Sequence, residues 1–240
     1  MVHDVTTWLT FAEKLLQVGY AFFNDRELPI TGKGAADPSV LVITLLARSI
    51  SNFRGALVLV RAGLVVEART LVRCIFENSF CVGGLVTKGD AFVQEMFGDE
   101  LTSRKLRAKI ILDKPMETKQ FEDRLRSQIE QINEKYPKSK FLTPKQASER
   151  SELQIAYLWY SQLSSDAAHP SMSALNRHVV RIVENNETVR GIDVAPEAKQ
   201  EELANTVDLA CYAFISILVG ANQMLGQTSA NDPIKAIFAE

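Results

Sequence analysis

Apolar residues recur along most of this chain at the three- and four-residue intervals of an α-helix, and few stretches show the strict alternation of a strand. The clearest case lies near the C-terminus. There Leu203, Val207, Cys211, Phe214, Leu218, Ala221 and Leu225 fall on one helical face, and Pro196 is placed to open the helix that carries them. Residues 8–23 predict a first helix. A longer one is predicted from Pro38, with Asp37 as its cap, to Arg61, and a third from Val65 to about Val86. The last two are apolar on most sides, which requires cover on most sides, and the short junction Arg61-Ala62-Gly63-Leu64 forces them into an antiparallel hairpin. This hairpin is the expected centre of the fold.

Residues 88–150 differ in being crowded with charge, so they are expected at the periphery. Short helices are predicted near 91–97 and 100–112. Phe121, Leu125, Ile129, Ile132 and Tyr136 form one apolar stripe, suited to packing at the edge or against another chain. The stretch from Pro137 to Pro144 reads as a solvated connection. An aromatic-rich helix over 151–162 ends before His169-Pro170, because proline disfavours helical backbone in the residue before it. A helix is then predicted over 173–185, residues 187–195 read as a small hairpin or a loop, and the chain after Gly226 reads as a loose tail. The expectation is a single all-α domain over residues 1–240, a helical bundle built around the central antiparallel hairpin.

Composition narrows the class without naming a reaction. A hydrophobic fraction of 46%, a charged fraction of 23% and a formal charge of −2 suit a globular protein with no general attraction to nucleic acid or anionic membranes. Cys74, Cys81 and Cys211 read as buried thiols in a reducing compartment, and their spacing does not suit zinc. The apolar run Leu209–Met224 is too short to suggest a membrane span, and no secretory leader is recognisable, so a cytoplasmic location and no membrane partner are expected.

Phosphate-cradling glycine motifs, zinc-binding His-Glu-x-x-His and the nucleophile elbow are absent, and there is no pair of Glu-x-x-His motifs for a dimetal bundle. Neither cofactor nor metal is expected. Ser164, Ser165, Asp166 and His169 are close in sequence, but within one turn they cannot all face one another as a hydrolytic triad. Two places hold candidate chemistry. Arg69, Arg73 and Glu77 share one face of a helix that should be buried, so they form either a structural ion-pair network or a polar pocket in which Arg73 binds an anion and Glu77 orients it or acts as a base. Arg54, on the preceding helix, falls within possible reach. The second place is His169, next to Asp166 and the aromatic helix bearing Tyr157 and Tyr160, where histidine is the side chain suited to proton transfer near neutrality.

The segments Leu46-Ala47-Arg48-Ser49-Ile50, Arg61 through Glu77, and Leu163 through Ser171 together resemble a bacterial family of all-helical proteins known as DUF5677. The resemblance covers roughly residues 40 to 220, and the matching positions are Arg73, Glu77, His169, Pro170 and Ser171. That family is in turn distantly similar to the helical HEPN domains of toxins and host-defence systems. Those cleave RNA without metal, using an arginine followed four to six residues later by histidine. Here Ser165, Ser164, Leu163 and Gln162 precede His169 at the relevant positions, so the motif is absent, and the chemistry requires an arginine such as Arg73 to be supplied in space.

Three readings result. The first is a binding or interaction module with a polar interhelical pocket, in a stress or phage-defence setting that the resemblance implies. The second is a metal-independent ribonuclease or phosphoryl-transfer enzyme using His169, Arg73 and Glu77. The third is an architectural polar cluster in a protein that acts through its surface. The expected ligand pocket comprises Arg54, Arg69, Tyr157, Tyr160, Asp166 and Ser171. The expected partners are a second copy of the chain through the charged outer helices, another protein, a small anion, or RNA.

Overall fold

The computed structural model describes residues 4–24, 32–115, 118–184, 187–226 and 234–235. Helices dominate: α1 (Val5–Asn24), α2 (Pro38–Arg61), α3 (Val65–Lys88), α4 (Asp90–Leu112), α5 (Lys119–Lys135), α6 (Pro144–Arg150), α7 (Ala156–Leu163), α8 (Met172–Asn176) and α9 (Gln200–Leu225). A 3-10 turn over Gly34–Ala36 precedes α2, and a π-helical turn over Ser164–Ala168 continues α7.

The predicted central hairpin is present. Asp37 caps α2 by accepting a hydrogen bond from the Ser39 N–H, with Pro38 at the first helical position. Gly63, at φ +75°, takes the left-handed backbone that lets the chain reverse into α3. Across the hairpin, the buried Asn78 side chain donates to Ser49 Oγ at 2.9 Å, so one polar contact fixes the register of an otherwise apolar interface. Helix α9 lies against both α2 and α3, and α1 packs on α9 and α2. Phe53 of α2 stacks on Phe214 of α9 with centroids 4.5 Å apart and planes 11° from parallel. Gly220 allows the close approach of α9 to α3, since a Cβ there would lie 2.5 Å from Val82 Cγ1. By length and composition α2 and α9 could each cross a membrane, whereas the run within α9 had read as too short. Both serve here as core helices of the bundle.

The charged section forms an arm on this core. Phe92 and Val93 bury the start of α4. The helix then runs unbroken through Gly98, where two short helices were expected, and pairs with α5 through the predicted stripe, of which Leu125 is buried. The chain returns in α6, which is not peripheral: Ala147 and Ser148 are buried, and α6 packs closely on α3. The approach uses Gly83, where a Cβ would stand 2.5 Å from Ser151 Cβ.

Several expectations need correction. The helix predicted over 173–185 ends at Asn176, and β1 (Val179–Glu184) pairs antiparallel with β2 (Glu187–Ile192), Val179 opposite Ile192 and Arg181 opposite Arg190. The run of β-branched residues 179, 180, 182 and 183 favours strand over helix. The fold is thus an all-α bundle with one small hairpin. Helix α9 begins four residues beyond Pro196, where the Glu202 side chain accepts from the Lys199 backbone N–H at 3.1 Å. Cys211 is buried, but Cys74 and Cys81 are half-buried on the outer face of α3. Most of the predicted loose tail lies outside the described residues, and Ile234 joins the core.

Candidate functional site

Helix α3 turns its apolar residues toward α2 and α9 and leaves Arg69, Thr70, Arg73, Cys74 and Glu77 on the opposite side. Helix α7 and its π-turn cover part of that side and divide the polar residues into two clusters.

In the first cluster, Arg73 Nη2 donates to Glu77 Oε1 at 2.8 Å, the Tyr160 hydroxyl donates to the same oxygen at 2.9 Å, and Arg73 Nε donates to that hydroxyl at 3.4 Å. The guanidinium carbon also lies 5.5 Å from the centre of the Tyr160 ring. Tyr160 is held by Tyr157, stacked at 5.6 Å, and by Phe80, edge-on at 5.9 Å. Burial opposes the charge on Arg73, but the Tyr160 hydroxyl and Glu77 outweigh it and hold the pKa above its ordinary value. Burial also raises the Tyr160 phenol; Arg73 opposes this and Glu77 adds to it. The arginine is therefore fixed as a cation and the tyrosine as a neutral donor. The side chains of Arg73 and Glu77 remain 24% and 34% exposed, and Arg73 Nη1 and Glu77 Oε2 have no hydrogen-bond partner among the described residues.

The second cluster sits one turn earlier on α3. Arg69 pairs with Asp166 of the π-turn, approaches Glu202 at 3.8 Å and donates through Nε to Thr206 Oγ1 at 3.2 Å. Arg177, which caps the C-terminus of α8, donates to Glu202 at 2.8 Å and approaches Asp166 at 3.7 Å. Two arginines and two carboxylates thus alternate around a square that ties α3, the π-turn, α8 and the start of α9. Burial raises the Glu202 carboxyl, but Arg177, the Lys199 backbone N–H and Arg69 prevail and hold it below the ordinary value. These four side chains are 12–27% exposed and pair with one another, the arrangement of a structural clamp, with Arg177 Nε left buried and without a hydrogen-bond partner among the described residues.

The remaining predicted residues lie apart. His169 is exposed, its backbone extended before Pro170, and its ring forms no hydrogen bond with Arg73, Glu77 or any other described residue. Ser171 caps α8, accepting from the Ala174 N–H at 3.1 Å and donating to the Ser165 carbonyl at 2.6 Å. Arg54 is exposed along a separate groove of about 610 Å³ that it shares with Tyr20, Gly55 and Leu71. Sequence reasoning missed Arg177 and Glu202. The acidic first turn of α9 was a visible signal for a cation there, but nothing local specified which one.

Among the described residues no group of three or more His, Cys, Asp or Glu could hold a metal ion. No curated protein and no solved structure matches the chain. A family model does, over residues 39–188, which span the central hairpin, the charged arm and both polar clusters apart from Glu202 and Thr206. By that match the chain belongs to DUF5677, a family of unknown function.

Proposed function

We propose that this protein is a cytoplasmic helical binding module whose recognition element is the Arg73–Glu77–Tyr160 cluster. One observation carries the reading: the three side chains are locked together by three hydrogen bonds, yet keep an unused donor on Arg73 and an unused acceptor on Glu77 at a partly exposed surface. Arginine and tyrosine are the side chains that most often dominate protein interfaces, and prior fixation lowers the entropy cost of binding. In an extended chain the N–H and C=O of one residue point to the same side and can meet both free positions, so the proposed partner is a protein segment.

The HEPN-like ribonuclease reading requires a histidine acting with an arginine. Against it stand the absent sequence motif, the unengaged His169 ring, and the commitment of Arg73 to Glu77 and Tyr160. The purely architectural reading fits the Arg69–Asp166–Arg177–Glu202 square better than the more exposed first cluster.

The test is affinity capture followed by titration of the purified partner into wild-type protein and Arg73→Met. The reading predicts at least about tenfold weaker binding by the variant, the loss expected for one charged hydrogen bond, with a melt run beside it to show that the variant is still folded at the temperature of the titration. Equal affinity would overturn it.

A further inference from the structure

The segment between α5 and α6, which reads in sequence as a mere solvated connection, walls a cleft of about 470 Å³ against the first half of α4. That volume lies in the range of small-molecule sites. The segment is held in place. The Tyr136 N–H bonds the Ile132 carbonyl at 2.9 Å, the Ser139 N–H bonds the Tyr136 carbonyl at 3.1 Å, the Leu142 N–H bonds Asp99 Oδ1 at 2.9 Å, and Thr143 and Gln146 form a reciprocal cap at the start of α6. The segment packs on α4 at Gly98, where a Cβ would stand 3.7 Å from Ser139 Cα, an ordinary van der Waals contact.

Three features of the lining point to a ligand. Lys135, Lys138 and Lys140 border the cleft with no carboxylate partner among the described residues, while its one carboxylate, Glu95, is engaged by Arg150 and by Lys88 at 3.6 Å. The lining thus carries four cations, Lys135, Lys138, Lys140 and Arg150, against one carboxylate, in a chain whose formal charge is −2. Ser139 Oγ is buried and has no hydrogen-bond partner among the described residues, a donor left unused where it costs stability. Finally, Phe141, a residue 47% exposed, lines the cleft beside the cations, and Tyr136 lines it as well.

We infer that this cleft binds a phosphorylated ligand with a planar group, of the nucleotide type, the lysines and Ser139 taking the phosphates and Phe141 the flat moiety. The site is distinct from the Arg73–Glu77–Tyr160 cluster and does not depend on it.

The test is calorimetric titration of the full chain with a nucleoside triphosphate, pyrophosphate and the unphosphorylated nucleoside. The triphosphate binds, more weakly as salt rises; pyrophosphate binds less tightly; the nucleoside does not bind. The double variant Lys138→Glu/Lys140→Glu, both positions exposed, melts as the wild type does and binds the triphosphate at least about tenfold more weakly. Phe141→Ala weakens the triphosphate but not pyrophosphate. Ser139→Ala leaves the free protein at least as stable and weakens both phosphorylated ligands, two effects of opposite sign that a structural role would not produce. No binding at millimolar triphosphate, or binding unchanged in the double lysine variant, would overturn the assignment. Pyrophosphate binding as tightly as the triphosphate, with Phe141→Ala silent, would overturn its nucleotide character.

Discussion

The Tyr160 hydroxyl accepts from Arg73 and donates to Glu77, so removing one oxygen breaks two contacts of the first cluster. Tyr160→Phe keeps the packing on Phe80 and Tyr157 and should cost about 1–3 kcal/mol, read as a lower urea midpoint at unchanged slope. Arg69→Met should lose a similar amount, about 1–3 kcal/mol. It leaves Asp166 and Glu202 facing Arg177 alone, and partial exposure softens the penalty of a broken buried pair. Hydrogen exchange should locate that loss in the π-turn and α8. The thiols give an independent check: burial, with Glu77 and Asp99, pushes Cys81 up to about 11, so alkylation near pH 7.5 should leave it largely unmodified in the folded protein. Rapid modification would contradict the surroundings described for it.

Among the elements, the long core helices were legible in the sequence because burial on most sides writes an apolar residue at nearly every turn, with Pro38 and Gly63 marking the ends. Residues 173–192 were not legible, since a run of β-branched residues this short fits either period until its partner strand is known. Arg73 and Glu77 could be placed on one face because the spacing of a single helix fixes it. Their pairing with Tyr160, and that of Arg177 with Glu202, depends on how distant segments pack, which no local pattern encodes. Close helix contacts had the same character: Gly83 and Gly220 look like ordinary weak points in helices, yet each holds a neighbour at a distance a methyl group would violate. Gly83→Ala and Gly220→Ala should each destabilise by about 1–3 kcal/mol despite the better helix propensity of alanine, an outcome thermal melts will show directly.

Over the whole molecule, the two polar clusters join α7, the π-turn, α8 and the start of α9 to α3, so side-chain contacts link the family-matched segment to the C-terminal helix. Stability should then carry an acid limb. The folded-state pKa of Glu202 lies below its ordinary value of 4.5, so its contribution is complete above that value and is lost as pH falls through the lower folded one. Glu202→Gln should flatten that part of the melting-temperature profile, and an unchanged acid limb would mean the square contributes little.

On the proposed function, the α3 polar face recognises a partner and does not cleave RNA with His169. The most direct measurement is a time course of end-labelled single-stranded RNA in chelator with wild-type protein and His169→Ala. Full-length RNA is expected in both reactions; cleavage by the wild type that disappears in His169→Ala would overturn the binding reading.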